Sequence, residues 1–424
     1  MREMKDSGIE WVGTIPQDWQ LSKIGNLYTQ RNEKVSDKDY QPLSVTMQGI
    51  LPQLATAAKT DDGDNRKLVR VGDFAINSRS DRRGSCGISP LDGSVSLINI
   101  ILTPRTAMHP GYYNWIFHTT LFADEFYKWG HGIVADLWTT RWQEMKSITV
   151  PVPEYAEQER IAAFLDAECA EIDAVLEKTR ASIEEYKKLK QAVITQAVTK
   201  GVRGDRPMKD SGIEWIGEIP AGVPISRVGL HFDIVLGKML CSAPVDDNYT
   251  LESYYCAADV HFEGLSNGEK KKMWFSPDEK EQYCVKSGDL LVVEGGAGAG
   301  GCAIAASTDV PIYIQNSIMI VRSKGISNIR YLRYLLECLV KKGYIDVVCN
   351  KATIPHFTKD KLANVPFIVF SQSEQEEIAE YLNEKCAGID ALIAKKQQYL
   401  TEIETYKKSL IYEYVTGKKE VHPL

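Results

Sequence analysis

One thirteen-residue segment occurs twice in this chain of 424 residues. It reads MKDSGIEWVGTIP from Met4 and MKDSGIEWIGEIP from Met208, so the two copies begin 204 positions apart. A chain of this length is expected to form two to four domains, because single hydrophobic cores stop growing at about 250–300 residues. The repeat therefore predicts two structural units built on one plan, each opening with the same frame segment.

Each frame segment is followed by a divergent block and then by a long helical pattern. The helical patterns begin PVPEYAEQERIAAFLDAECAEID and PFIVFSQSEQEEIAEYLNEKCAGID, and they align at an offset of 217. Ser373 and Glu376 form an S-x-x-E capping box, which predicts the start of the second helix. We predict a frame segment plus block over 1–153, a helix region over 154–200, a second frame segment plus block over 201–370, and a second helix region over 371–424.

The two divergent blocks share a sparse set of residues at offsets of 215 to 217. The matched residues are Gly72-Asp73 with Gly288-Asp289, Cys86 with Cys302, Asn99 with Asn316, and Arg141-Trp142 with His356-Phe357. Strand-like runs such as DLLVVE and IYIQNSIMIV stand beside the helix-like run NIRYLRYLLECLVKK. This mixture predicts an α+β (mixed α/β) fold for both blocks.

Heptad spacing runs through both long helical patterns, and it predicts a partner helix for each. The seam positions are Ile172, Thr179, Tyr186 and Val193 with Leu176, Ile183 and Ala197 in the first pattern, and Ile389, Leu400, Ile403, Tyr406 and Leu410 in the second. One interpretation pairs the two helices with each other as a coiled coil. The alternative is that each helix packs only on its own block.

The connection TKGVRGDRP between the first helix and the second frame segment is short and polar. It places the second block near the far end of the first helix, so the second helix pairs with the first only by running back along it. The sequence thus predicts an antiparallel pair and an approximate two-fold relation between similar halves. Ile172–Val198 would span about 40 Å at ~1.5 Å per residue, close to one turn of duplex DNA.

Composition is that of a globular protein, with 44% hydrophobic and 25% charged residues. The net charge is −7, but the blocks themselves are nearly balanced, with 15 basic against 13 acidic residues over 20–150 and 16 against 16 over 224–366. The nine cysteines include no C-x-x-C pair, which favours free thiols. No apolar run is long enough to span a bilayer and the first residues lack a signal-peptide core, so we expect a cytoplasmic protein.

Catalytic motifs are missing from the sequence. The run GGAGAGG at 295–301 contains G-x-G-x-x-G, but CAIAAS and a proline at 311 follow it instead of a helix. We interpret it as a loop between strands. No phosphate-binding loop, zinc motif, hydrolase elbow or adenine-methyltransferase motif occurs, so we predict no catalytic and no metal-binding residues.

Basic residues in the two blocks stand in polar loops or beside aromatic residues. Such side chains contact phosphates or the guanine edge in the major groove, although most charged loop residues are only solvated surface. The candidate DNA-binding residues are Arg79, Arg82, Arg83, Trp138 and Arg141 in the first block, and Lys238, Lys270, Lys271, Lys272, Lys351 and His356 in the second.

The order of frame segment, variable block and helix, repeated once, closely resembles the specificity subunit of type I restriction-modification systems. The resemblance rests on the duplicated MKDSGIEW, the blocks ending in VP and the EQ..IA..L helix starts, and it covers essentially the whole chain. It implies that each block is a target-recognition domain for one half of a bipartite DNA site. Because the two blocks differ, the bound site should be asymmetric. One departure is Val223, which stands where the first repeat has Trp19.

The resemblance also implies that the long helices set the spacing and dock two methyltransferase subunits. Restriction translocase-nuclease subunits would join them. Methylation with S-adenosylmethionine and cleavage with ATP and magnesium would then belong to those partners, with no cofactor in this chain.

Candidate docking residues are the apolar positions at the helix starts, for which the alternative is packing against the adjacent block: Ile161, Phe164, Leu165, Ile378, Tyr381 and Leu382. Two other functions remain open, a single-chain or two-component enzyme that supplies its own chemistry and a coiled-coil scaffold that does not bind DNA.

Overall fold

A computed structural model describes residues 2–53, 63–79, 82–105, 108–132, 138–349 and 355–421. The chain divides into two compact units. The first unit comprises Met1–Arg180 and Gln397–Leu424, and the second comprises Ala181–Lys396. Each unit therefore contains part of both long helical regions.

The strands of the first unit are, in chain order, β1 (Met4–Asp6), β2 (Thr14–Pro16), β3 (Gln20–Lys23), β4 (Tyr28–Arg31), β5 (Lys34–Val35), β6 (Leu43–Thr46), β7 (Gly49–Pro52), β8 (Arg66–Val69), β9 (Phe74–Asn77), β10 (Cys86–Ile88), β11 (Gly93–Val95), β12 (Asn99–Pro104) and β13 (Thr149–Val152). Its helices are α1 (Ile24–Leu27), α2 (Pro110–Phe117), α3 (Thr120–Lys128), α4 (Trp142–Met145) and the start of the long α5 (Tyr155–Lys200).

The strands of the second unit are β14 (Met208–Asp210), β15 (Glu218–Pro220), β16 (Ile225–Arg227), β17 (Phe232–Leu236), β18 (Thr250–Tyr255), β19 (Val260–His261), β20 (Gly264–Leu265), β21 (Lys271–Phe275), β22 (Leu290–Val293), β23 (Cys302–Ile304), β24 (Tyr313–Ile314), β25 (Ile318–Ser323) and β26 (Pro366–Ile368). Its helices are α6 (Val228–His231), α7 (Pro277–Tyr283), α8 (Ile329–Lys341), α9 (Tyr344–Val348), α10 (Lys359–Ala363) and the first part of α11 (Gln372–Val415).

Both units are organised around the same four-stranded antiparallel sheet. Its strand order is β4-β12-β9-β10 in the first unit and β17-β25-β22-β23 in the second. The central strands are buried apolar runs, as in LLVV of β22, which is what a sheet covered on both faces requires. The mixed α/β class predicted from the sequence is therefore confirmed for both units.

The frame segment forms a small hairpin in each unit, β1 with β2 and β14 with β15, in the same register. In the first unit Arg2 pairs with Glu157 at 2.5 Å, and Trp19 donates from Nε1 to the same carboxylate at 2.9 Å. In the second unit Arg206 pairs with Glu374. The repeated glutamate at each helix start thus anchors the repeated frame.

The loss of the first repeat's tryptophan is compensated in the second unit. Arg2 lies over the ring of Trp19 at 5.7 Å, whereas Arg206 lies over the ring of Phe370 at 5.5 Å. Phe370 stands at the position of Pro153, by the offset of 217 that relates the helix starts. The aromatic partner of the arginine therefore follows the frame segment in the first unit, whereas in the second it lies between β26 and α11.

The glutamine of each EQ pair has one structural task in both units. Gln158 accepts the backbone N–H of His109 at 2.9 Å and donates to the carbonyl of Pro153 at 2.8 Å. Gln375 likewise accepts the backbone N–H of Asn328 and donates to a carbonyl five residues earlier, both at 2.8 Å. These bonds tie the start of each long helix to the segment that precedes α2 or α8.

Within each unit the segments of α5 and α11 run antiparallel. In the first unit Lys407 contacts Asp173 at 2.6 Å and Arg180 contacts Glu404 at 2.6 Å. In the second, Lys190 contacts Asp390 at 2.7 Å and Lys396 lies over the ring of Tyr186 at 5.8 Å. As residue numbers increase along α5, the numbers of the contacting residues decrease along α11. The antiparallel pairing predicted from the heptads is therefore confirmed within each unit.

Most of the predicted heptad positions are buried. Leu176, Ile183, Leu400 and Leu410 are each at most 5% exposed. Tyr406 is the exception, because 54% of its surface is exposed and its side chain lies outside the seam. Strict seven-residue spacing from Leu400 places position 407 on the seam and Tyr406 one residue before it, so the exposure of Tyr406 corrects its assignment to the seam.

Two details of the sequence alignment are corrected. The cap of α11 lies two residues before the predicted one, because the Ser371 hydroxyl, and not that of Ser373, accepts the backbone N–H of Glu374 at 3.2 Å. Ser373 instead hydrogen-bonds to Glu377 at 3.1 Å. The second correction concerns α4 and α10, which begin after Arg141 and Thr358.

These helix starts show that Arg141 matches Thr358 at an offset of 217. His356-Phe357 therefore corresponds to Thr139-Thr140 and not to Arg141-Trp142. The offset of 215 suggested by the sequence placed the second pair two residues out of register.

Candidate nucleic-acid interface

The candidate arginines of the first unit surround the loop that leaves β9. Arg79 is exposed, and its backbone pairs with Thr139 in an antiparallel bridge. The hydroxyl of Tyr127 donates to the carbonyl of Arg79 at 2.8 Å, and the N–H of Thr140 donates to the carbonyl of Ser78 at 3.0 Å. Three chain segments thus fix the base of this loop while the Arg79 side chain faces solvent.

Arg82 and Arg83 follow in the same loop, and both are exposed. Arg83 forms an ion pair with Asp124 and lies over the ring of Tyr127 at 5.6 Å. An arginine that is half exposed and already aligned by a carboxylate and a ring is ordered for a second, planar partner. The geometry is compatible with the predicted DNA contact of these residues.

Trp138 and Arg141 bracket the segment that bridges to Arg79. Trp138 donates from Nε1 to the carbonyl of Tyr127 at 2.7 Å, so its polar edge is engaged in holding the segment. Arg141 is exposed and caps α4, where its backbone N–H donates to Glu144 at 2.9 Å. The structure brings both residues together with Arg79 at one edge of the sheet.

Lys238 lies inside the second unit. Its ammonium group contacts Glu279 at 2.5 Å and the carbonyl of Trp274 at 2.8 Å, and it lies over the rings of Tyr249 and Phe275. Only 10% of the side chain is exposed. These contacts give Lys238 a role in holding β21 and α7 together, and its predicted DNA contact gains no support.

The run of lysines at 270–272 divides into one internal and two surface residues. Lys270 contacts Asp259 at 3.1 Å and the carbonyl of Ser266 at 2.6 Å, so it closes the loop before β21. Lys271 and Lys272 are both exposed on β21. Of the three lysines, only these two have the exposed side chains that a phosphate contact requires. Lys351, also predicted to bind DNA, lies outside the described residues.

His356 stands beside the glycine-rich loop, which joins β22 and β23 as a turn between antiparallel strands, as predicted. Its Nδ1 lies 3.2 Å from Oε2 of Glu294, and the His356 side chain is 60% exposed. Glu294 was not predicted from the sequence, because the search for DNA contacts followed basic residues. The signal that could have found it is its position immediately after a buried strand.

The predicted docking residues at the helix starts are mostly core residues. Ile161, Leu165, Ile378 and Leu382 are each at most 2% exposed, so a partner cannot reach their side chains in the folded units. This corrects their assignment as docking positions, and packing against the adjacent block is what the structure shows. Phe164 is partly buried against the ring of Tyr414 at 4.4 Å, whereas Tyr381 is 38% exposed.

Four exposed apolar residues of the long helices lie away from the helix starts, at equivalent positions of the two units. Val175 and Tyr406 in the first unit match Leu392 and Leu189 in the second at the offset of 217. In each unit the two residues lie at the same level of the antiparallel pair, beside the matching ion pairs Asp173–Lys407 and Lys190–Asp390. Each unit thus carries one copy of this apolar pair.

All nine cysteines are free thiols, as predicted, and burial raises the pKa of Cys169 and Cys386 to about 11. Within the described part of the chain, no three histidine, cysteine or acidic side chains come together as a metal site. Among the described helices, none has an apolar stretch that could cross a membrane.

Comparison with known proteins gives one consistent result. A family model described as the type I restriction modification DNA specificity domain matches residues 263–402. The type I restriction enzyme MjaVIII specificity subunit of Methanocaldococcus jannaschii is 24% identical over 436 residues, which cover 97% of this chain and 95% of the relative. The putative type I restriction enzyme MjaX specificity subunit of the same organism is 25% identical over 289 residues, which cover 66% of this chain and 61% of that relative.

Two solved structures share the fold. A chain from a structure of the complex assembly and conformational transition of the type I R-M system has a TM-score of 0.74 at 16% identity, covering 96% of this chain and 99% of that one. The HsdS subunit from Thermoanaerobacter tengcongensis has a TM-score of 0.54 at 17% identity, covering 96% and 98%. Residues 263–402 thus match the type I DNA specificity domain, the chain is similar over nearly its whole length to a type I restriction enzyme specificity subunit, and its fold is that of the solved structures from such systems.

Proposed function

We propose that this chain selects the DNA target of a type I restriction-modification complex without performing the chemistry itself. Each unit would read one half of an asymmetric bipartite site. One observation carries this proposal: the two units share a sheet order, a frame hairpin and a helix anchor, yet the loops beyond β9 and β22 present different side chains. Recognition of two different half-sites requires loops with different side chains, and here such loops stand on a common scaffold.

Partner subunits would carry the catalysis. We propose that two methyltransferase subunits bind this chain and use S-adenosylmethionine, and that translocase-nuclease subunits use ATP and magnesium. The duplicated apolar pair supports two equivalent partners, since each unit offers Val175 with Tyr406 or Leu189 with Leu392. These four residues replace the buried helix-start residues as the proposed docking positions.

Methylation mapping tests the proposal. Adenines modified in cells that contain the chain and its methyltransferase partner should define a bipartite motif that disappears when the gene is deleted. The purified chain alone should leave DNA unmethylated even when S-adenosylmethionine is present. Methylation by the chain alone would instead support a single-chain enzyme, and failure of the partner-bound chain to protect DNA at low salt would support a scaffold.

Docking can be tested separately with charged substitutions. Leu189→Lys with Leu392→Lys should reduce the number of bound methyltransferase subunits from two to one, because a lysine ammonium would be desolvated at the contact. The melting temperature should stay within about 2 °C, since surface substitutions usually cost less than about 0.5 kcal/mol. Glu185→Lys, on the same helix, is the matched control and should leave two partners bound. Unchanged stoichiometry in the double variant would contradict this docking surface.

A further inference from the structure

One backbone arrangement occurs in both units where the third strand of the four-stranded sheet ends. In the first unit, Ser78 follows β9, its N–H donates to the carbonyl of Ile98 at 3.3 Å, and its carbonyl accepts the N–H of Thr140 at 3.0 Å. In the second, Glu294 follows β22, donates to the carbonyl of Ser317 at 2.8 Å, and accepts the N–H of Phe357 at 2.6 Å. The two sites are structurally equivalent.

The side chains on this shared backbone differ in charge, since Ser78 of the first unit matches Glu294 of the second. The next residue is Arg79 in one unit and Gly295 in the other, and the bridge partner is Thr139 in one and His356 in the other. These differences are coupled sterically. A Cβ on Gly295 would lie 3.1 Å from Nδ1 of His356, so the glycine makes room for the imidazole ring. The second unit thus lacks the arginine of the first and carries instead a carboxylate in contact with a histidine.

The Glu294 carboxylate is suited to a base edge and unsuited to a phosphate. It is 16% exposed, and among the described residues only its Oε2 has a partner, the imidazole of His356. A carboxylate repels the phosphate backbone, whereas it accepts hydrogen bonds from the exocyclic amino group of cytosine in the major groove. Arg79, one residue beyond the equivalent position in the first unit, carries a side chain that favours the O6 and N7 acceptors of guanine.

From this equivalence we infer that Glu294 is a specificity-determining residue, whose carboxylate accepts a hydrogen bond from the amino group of a cytosine in the half-site read by the second unit. His356 positions the carboxylate through the 3.2 Å contact and leaves Oε1 for the base. In the first unit the equivalent backbone carries Ser78 followed by Arg79, and the arginine would face the other half-site. The inference rests on the proposed function, because it assigns a base contact within the DNA site.

The test is the methylation motif of variants in the presence of the methyltransferase partner. Glu294→Gln replaces an acceptor by a donor-acceptor pair that matches adenine. It should change one position of the second unit's half-site from cytosine to adenine. Glu294→Ala should make that position degenerate, with a loss of discrimination of about tenfold, the low end of what one bidentate base contact provides. The other half-site should stay the same.

Controls separate this inference from its alternatives. Glu281→Gln, on the exposed face of α7, should leave the motif unchanged. An unchanged motif in both Glu294 variants would overturn the base contact, and so would a uniform loss of methylation across all positions with an unchanged melting temperature. If the native chain yields no bipartite motif, the proposed function fails before this inference is reached.

Discussion

At the scale of single residues, the residues that recur in both halves of the sequence have structural roles. Glu157 and Glu374 accept the frame arginines, and Gln158 and Gln375 fasten the helix starts. Lys238 and Lys270, which their sequence surroundings marked as DNA contacts, are held by internal carboxylates. Charge in a sequence indicates a partner, but only the fold shows whether that partner is a protein group or another molecule.

The pair Arg206–Glu374 should be important for the stability of the second unit. The Glu374 side chain is only 6% exposed, so Glu374→Gln leaves Arg206 without its charged partner in a partly desolvated place. We expect a loss of about 2–3 kcal/mol, the cost of an unsatisfied charged group. Denaturant unfolding measures it. Glu185→Gln, which breaks an exposed pair with Lys188, should cost under about 1 kcal/mol; equal losses would contradict the difference in burial.

The contact between Lys238 and Glu279 predicts a pH dependence. Burial acts to raise the pKa of Glu279, but the hydrogen bond from Lys238 and that from the Ser276 backbone outweigh it, so the pKa lies below its ordinary value of 4.5. A lowered pKa stabilises the fold above about pH 4.5, and that contribution is lost as pH falls through the folded pKa.

The variant Lys238→Met isolates this contribution. It should destabilise the chain by about 2 kcal/mol at pH 7, the value of a hydrogen bond to a charged group. The difference in unfolding free energy between native chain and variant should shrink as the pH falls below about 4. A difference that stays constant down to pH 3 would show that the ion pair is not its source.

At the scale of elements, the antiparallel register of the long helices is marked by the same ion pair twice. Asp173 with Lys407 and Asp390 with Lys190 are related by the offset of 217 in both partners. A shift by one heptad would again bring apolar positions of the two helices together, whereas it would separate these charged partners.

A charge exchange tests this role in the second unit. Lys190→Glu should cost about 0.5–1 kcal/mol, because the new carboxylate faces Asp390. Adding Asp390→Lys should recover most of that loss, and the coupling can be measured as a double-mutant cycle. Additive losses in the cycle would contradict a direct pairing. The same exchange at Asp173 and Lys407 provides the matched control in the first unit.

At the scale of the whole molecule, DNA binding must overcome an overall charge of −7. Local basic groups such as Lys271 and Lys272 can neutralise phosphates while the acidic excess lies outside the two blocks. Affinity should then depend on salt according to the number of phosphates that the protein neutralises and not according to net charge.

The variant Lys271→Ala with Lys272→Ala should weaken DNA binding of the partner-bound chain at every sequence. The slope of log K against log salt should become less steep by about 2, nearly one unit for each phosphate that a lysine no longer neutralises. Lys238→Met, whose lysine is internal, should leave the slope unchanged. A salt slope that does not respond to the double variant would exclude these lysines as phosphate-binding groups.

The sequence by itself determined the duplicated plan, the α/β class, the presence of two long helices and their antiparallel pairing. These follow from repetition and from apolar periodicity, which are local or strictly periodic properties of the chain. Tertiary structure alone decided that Ile161 and Leu165 are core while Tyr406 is surface, that Lys238 is internal, and that Glu294 meets His356 across 62 residues. Burial and pairing between residues distant in sequence depend on how the elements pack, and no local pattern of residues encodes that.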